Sequence, residues 1–143
     1  MRKAIGIMLL GALVLLPGKL NAAERYDGSW QTTLTCPAKG NTEGYTSKFV
    51  SVIQNGNLHG ERGTAGEPGH LLIEGPVADD GKAKLNASGV VASRTYARGV
   101  FAHQGEEYSY KVKAQFNEKT GTGTRDEGLG IVGRPCTFDF TKQ

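Results

Sequence analysis

The chain of 143 residues has only two cysteines, Cys36 and Cys136, and they stand far apart. Thiol–disulfide oxidoreductases and many zinc sites need two cysteines close together, as in C-x-x-C, so this wide spacing excludes that redox motif. No cysteine lies beside the N-terminal apolar segment either. The sequence therefore lacks the modification site of a bacterial lipoprotein.

An excess of one charge is also missing outside the first residues. The whole chain has 17 Lys and Arg against 14 Asp and Glu. Arg2, Lys3 and Lys19 lie in the N-terminal segment, and the rest carries fourteen of each sign. Nucleic acids are bound through many Lys and Arg contacts to phosphate. We therefore predict no nucleic-acid partner and no binding to an anionic membrane.

Catalytic and metal-binding motifs are absent as well. The histidines His59, His70 and His103 share no zinc-ligand spacing, so we predict isolated surface histidines and no metal. The acid pairs Asp79-Asp80 and Glu106-Glu107 fall at predicted turns, where solvated carboxylates are expected. No serine stands in a nucleophile elbow. The sequence thus predicts a non-enzymatic protein with no catalytic residues and no cofactor.

Residues 1–22 are predicted to be a secretory signal peptide. Arg2 and Lys3 precede an apolar run over residues 4–16, and small residues follow at the cleavage site, which we place after Ala22, with Ala23 as the alternative. The apolar run of about 13 residues is short against the ~20 that a spanning helix needs, so a retained membrane anchor is the less favoured interpretation. We expect a mature bacterial protein without a membrane span, periplasmic or secreted.

Residues 23–143 are predicted to form a single all-β domain. Apolar and polar residues alternate with period two, most clearly over residues 107–116, and no mature segment shows a helical apolar stripe. Asn55-Gly56 and Asp80-Gly81 are typical of tight hairpin turns. The predicted strands lie near residues 30–36, 47–54, 58–63, 70–75, 83–87, 94–103, 107–116, 120–126 and 136–140.

Short strands joined in order favour an antiparallel meander that closes into a small barrel of about eight strands. A two-sheet sandwich is the alternative. Cys36 ends the first predicted strand and Cys136 starts the last, each on the apolar face. Closure makes these strands neighbours, so we predict a disulfide in an oxidising compartment, with free thiols or an intermolecular bridge as alternatives.

The segment Gly128 to Gly133 matches the G-x-G-x-x-G spacing of a dinucleotide-binding turn. That motif needs a following helix, whereas Pro135 and a strand pattern follow here, so dinucleotide binding is not predicted. Leu129, Ile131 and Val132 give the segment an apolar tip. They either cover the barrel end as core or contact a partner, and they are the candidate binding residues.

The opening Tyr26-Asp-Gly-Ser-Trp30, the Asn55-Gly56 hairpin, residues 75–81 and Cys136 resemble a loose group of small secreted bacterial β-rich proteins. Their aromatic-Asp-Gly-x-Trp opening precedes a glycine-rich meander, and the group has no assigned activity. The resemblance therefore implies a fold and no chemistry. In general build, the predicted barrel is also similar to periplasmic lysozyme inhibitors.

These observations predict a secreted or periplasmic binding module whose partner is a small ligand or a macromolecule. The alternative function is inhibition of an extracellular hydrolase such as lysozyme.

Overall fold

Eight antiparallel strands form a closed barrel in the computed structural model, which describes residues 22–96, 103–126 and 134–143. Each strand pairs with the next along the chain, and β1 also pairs with β8. The predicted barrel is confirmed, and the two-sheet sandwich is wrong. The strands are β1 Gly28–Cys36, β2 Tyr45–Gln54, β3 Asn57–Arg62, β4 Leu71–Pro76, β5 Lys82–Val90, β6 Glu107–Phe116, β7 Thr120–Asp126 and β8 Thr137–Lys142.

Local sequence explains the tight turn between β2 and β3. Asn55 and Gly56 both have positive φ, at 51° and 70°, which is the backbone that a two-residue hairpin turn requires. The carboxylate of Asp27 accepts the amide protons of these two residues over 2.8 and 3.1 Å. The residue before β1 thus holds the β2–β3 turn in place.

One end of the barrel, which we call the packed end, is filled with aromatic side chains. A 3-10 helix at Ala22–Tyr26 leads into β1 there, and the indole Nε1 of Trp30 donates to the carbonyl of Tyr26 over 2.9 Å. The Phe116 ring lies 5.3 Å from Trp30, edge to face, and 4.8 Å from Phe140. Trp30 is fully buried, so this end is a solid hydrophobic core.

Inward-facing glycines make room for bulky side chains on neighbouring strands. A Cβ on Gly121 would lie 2.6 Å from the Phe116 ring, and one on Gly60 would lie 2.1 Å from the Ser51 hydroxyl. Phe116 pairs with Gly121 across β6 and β7, and Ser51 pairs with Gly60 across β2 and β3. The glycine content of the strands therefore serves packing of a narrow barrel interior.

The disulfide between Cys36 and Cys136 is present, which confirms the predicted pairing. It links the end of β1 to the residue before β8, and both cysteines are buried. Such bridges persist in oxidising environments, so the bond indicates a compartment outside the reducing cytosol. Within the described ranges no helix has the length and apolar character to cross a bilayer.

The strand predicted over residues 94–103 is wrong where the structure describes it. Arg94–Tyr96 form a 3-10 helix, and His103 lies in a turn before β6. The hydroxyl of Ser93 accepts the amide proton of Thr95 over 3.2 Å. Such a local side-chain bond to the backbone competes with sheet pairing. The predicted signal peptide over residues 1–22 lies outside the described residues, except for Ala22.

Candidate functional site at the polar end of the barrel

The end of the barrel opposite the packed end, here the polar end, has tyrosines and arginines where the packed end has phenylalanines. The connections β1–β2, β3–β4, β5–β6 and β7–β8 all start and finish there. Because side chains alternate along each strand, the strand residues of this group point into the barrel. We define the polar-end cluster as the tyrosines and arginines Tyr45 on β2, Arg62 on β3, Tyr108 and Tyr110 on β6, Arg125 on β7 and Arg134 shortly before β8.

Tyr108 and Tyr110 form a stacked pair of aromatic rings. They stand two residues apart on β6, their rings are nearly parallel at 9°, and the ring centroids are 6.0 Å apart. Gly89 pairs with Tyr108 across the β5–β6 ladder. A Cβ at this glycine would lie 2.6 Å from the Tyr108 hydroxyl, so the missing side chain lets the Tyr108 ring extend over β5.

Two of the arginines lie over tyrosine rings. The guanidinium carbon of Arg125 is 4.3 Å from the ring centroid of Tyr110, and that of Arg134 is 5.2 Å from the centroid of Tyr45. Both distances fall within the range of cation–π attraction. These contacts place two positive charges against tyrosine rings inside the polar end.

The hydrogen bonds of Arg62 end on neutral oxygen atoms. Its Nη1 donates to the Ser47 hydroxyl over 2.8 Å, and its Nη2 donates to the Gly69 carbonyl over 2.7 Å. Its Nε is buried and has no hydrogen-bond partner. Within the described ranges no carboxylate forms an ion pair with this guanidinium, so both of its acceptors are neutral.

Arg134 connects three parts of the polar end. The side chain is almost fully buried, and it donates to the carbonyl of Glu43 over 2.6 Å and to the carbonyl of Tyr96. Glu43 belongs to the β1–β2 connection and Tyr96 to the β5–β6 connection. Because Arg134 lies two residues from Cys136, the disulfide holds this anchor near the end of β1.

The tyrosines of β6 remain neutral at physiological pH. Burial, followed by the charge of Tyr45, raises the pKa of Tyr108 to about 12, against the opposing charges of Arg62 and Arg125. Burial raises the pKa of Tyr110 well above its usual value in the same way. Neither tyrosine of β6 therefore carries a negative charge that would cancel the positive charge of the arginines.

The other sequence-predicted sites have separate outcomes. The candidate binding residues Leu129, Ile131 and Val132 lie outside the described residues. His59 is exposed as predicted, 3.9 Å from a Glu74 oxygen, with 62% of its side chain exposed.

The prediction of a surface position is wrong for His70. Only 11% of its side chain is exposed, and its Nε2 lies 2.8 Å from a carboxylate oxygen of Glu61. The contact joins β3 to the residue before β4, and the sequence pattern alone does not predict this contact. In the described part of the chain, no group of His, Cys, Asp or Glu could hold a metal ion.

Sequence reasoning missed the polar-end cluster. The alternation over residues 107–116 places Tyr108 and Tyr110 on the inner face, so the tyrosine half of the cluster could have been predicted. Arg62 and Arg125 lie near strand ends, where a charged residue is usually expected to be exposed to solvent. Only the pairing of all strands shows that these side chains share one interior.

No family model matches the sequence, and comparisons with curated proteins and with solved structures find no significant match.

Proposed function

We propose that the protein is a non-enzymatic binding protein that holds one small ligand at the polar end of its barrel. The observation that supports this most is the contrast between the two ends. The packed end is filled by fully buried side chains, whereas Tyr108, Tyr110 and Arg62 face inward and are only half-buried. Eight-stranded barrels have an interior that either fills with side chains or holds one small ligand.

The depth of the proposed site follows from apolar residues at the level of the cluster itself. Leu71 pairs with Arg62 and Val112 pairs with Arg125, and each is 1% exposed. Close-packed side chains at this level limit how deep a ligand could reach. The ligand would therefore lie at the barrel mouth, against the polar-end cluster.

The chemistry of the cluster supports binding over catalysis. The Ser47 hydroxyl accepts a hydrogen bond from Arg62, and a guanidinium group cannot act as the general base that a serine nucleophile needs. The Glu61 carboxylate beside His70 lies on the outer face of β3, away from the tyrosines. Half-buried phenols and guanidinium groups orient a ligand but are poorly suited to neutral-pH proton transfer.

The predicted signal peptide and the disulfide support a location in the bacterial periplasm or outside the cell. A buried bridge that links the first strand to the residue before the last strand suits a protein that works in an oxidising compartment. A secreted carrier or receptor for a small molecule fits both the size and the fold.

The test is a ligand screen on the purified, disulfide-bonded protein. Aromatic compounds that are neutral, cationic or anionic are titrated by calorimetry, and amide resonances report the location of binding. We expect shifts at Ser47, Gly89 and Tyr108, and a loss of about tenfold or more in affinity for Y110L. The matched control is Y26L, the same substitution at the packed end, which should bind normally if it is folded.

Two results would contradict the proposed function. Shifts confined to the packed end or to the outer face would place binding elsewhere. Stoichiometric inhibition of a lysozyme, with no small-molecule binding at the polar end, would favour the inhibitor function instead.

A further inference from the structure

The ligand class can be inferred from the unusual state of Arg62. A guanidinium group has five N–H donors and a fixed positive charge. Arg62 uses two of its nitrogens on the neutral oxygens of Ser47 and Gly69, while Nε is buried without an acceptor. Buried donors of this kind are rare in folded proteins, because water is lost without replacement. Each Nη keeps a second N–H group on this half-buried side chain, and a ligand could accept from both.

The distribution of charge around the polar end indicates the sign of that ligand. Arg62 and Arg125 act electrostatically on Tyr108 from inside the barrel. The acidic residues of β3, β6 and β7 alternate to the outer face: Glu61 and Glu107 are exposed, and Asp126 is half-buried, 3.0 Å from Nζ of Lys113. Among the described residues, the inner face of this end therefore carries the guanidinium groups and the outer face carries the acids, which favours an anion inside.

The shape of the ligand follows from the tyrosine rings. The half-buried rings of Tyr108 and Tyr110 are stacked nearly parallel, 6.0 Å between centroids. Arg125 already lies over the Tyr110 ring, so we assign the ligand's ring to the face of Tyr108. Planar apolar groups pack well on such a face, and offset stacking adds to the gain from burial. A carboxylate can accept from two N–H groups of a guanidinium together, a geometry that a neutral amide matches poorly.

We propose that the polar end binds a small aromatic carboxylate, with its carboxylate on the Nη groups of Arg62 and its ring against Tyr108. The inference rests on the proposed function and adds the charge and shape of the ligand. It makes Arg62 the residue that determines specificity for anions, and Tyr108 the surface that holds the apolar part.

Three probes of matched shape test the charge requirement: 2-naphthoate, naphthalene-2-carboxamide and 2-naphthylmethylammonium. Calorimetry should rank the carboxylate at least about tenfold tighter than the amide, with the ammonium weakest. Raising the salt from about 50 mM to about 500 mM should weaken the carboxylate and leave the amide unchanged, because screening acts on the charge pair.

Variants of Arg62 test the assigned residue. R62Q should lower the affinity for naphthoate to that for the amide, while affinity for the amide itself stays the same. R62K keeps the charge and removes the two-pronged donor geometry, so its affinity should fall between the two. The control K84Q removes one positive charge from the exposed outer face of β5 and should bind naphthoate normally.

The outcomes separate this inference from the proposed function. Equal affinity of the carboxylate and the amide, with amide shifts at Ser47 and Gly89, would overturn the anion inference and leave small-ligand binding intact. Binding by no compound of any charge would overturn both. If R62Q does not fold, R62K with an unchanged preference for naphthoate and no salt dependence would overturn the role of Arg62.

Discussion

Removal of the Cys36–Cys136 bridge should cost the protein a large part of its stability. The bond closes a loop with a sequence separation of 100 residues. In the loop-closure model, a cross-link over this length removes unfolded-state entropy equivalent to about 4.7 kcal/mol at 25 °C. Domains of this size are stable by only ~5–15 kcal/mol. We therefore expect C36A/C136A to lose roughly 3–5 kcal/mol in free energy of unfolding.

Urea unfolding, followed by far-UV circular dichroism, measures this loss on the intact protein, the reduced protein and C36A/C136A. The two bridge-free forms should agree, and their m-values should exceed that of the intact protein, because an unfolded chain without the cross-link exposes more surface. Reductant added to C36A/C136A should change nothing, which controls for other effects of the reagent.

The reasoning would be refuted by a loss below about 1 kcal/mol together with an unchanged m-value, since the cross-link would then hardly restrict the unfolded chain. Rapid alkylation of two thiols in the untreated folded protein would refute the bridge itself. Both cysteines are buried, at 2% and 3% exposure, so reagents should reach them only after reduction or unfolding.

The remaining predictions concern two groups inside the barrel. The pKa of Tyr108 is raised from 10.0 to about 12 in the folded state, so its contribution to stability is complete below pH 10 and is lost as the pH rises toward 12, because the unfolded chain loses the proton first. Y108F should flatten this fall in alkaline unfolding curves; an equal slope would contradict the shift. The Thr32 and Ser51 hydroxyls are fully buried and 2.7 Å apart. T32V should cost about 1–3 kcal/mol by leaving Ser51 unpaired, and T32V/S51A should cost less than the sum of the single variants in thermal unfolding, whereas additive losses would rule out the coupling.

Strand prediction succeeded where the pattern is local. Residues 107–116 and 120–126 form β6 and β7 with the predicted bounds, because one buried face leaves a period-two record in the sequence. The prediction over residues 94–103 was wrong because the hydrogen bond between Ser93 and Thr95 favours a local turn there. A side chain that bonds its own backbone leaves no periodic signal.

The all-β class was determined by the sequence alone, since alternation and turn residues follow from short stretches of chain. The sequence favoured a closed meander and a bridge between the two cysteines but left a sandwich and free thiols open, and the structure decided both. The polar-end cluster was decided only by the tertiary structure. Arg62, Tyr108 and Arg125 belong to three strands, and their alternation says only which face each side chain takes. Barrel closure and strand register bring those faces to one end, where burial keeps the tyrosines neutral and leaves Nε of Arg62 without an acceptor. The pKa and the burial of a side chain depend on all the groups that pack around it, and these groups come from several strands. No local sequence pattern therefore predicts them.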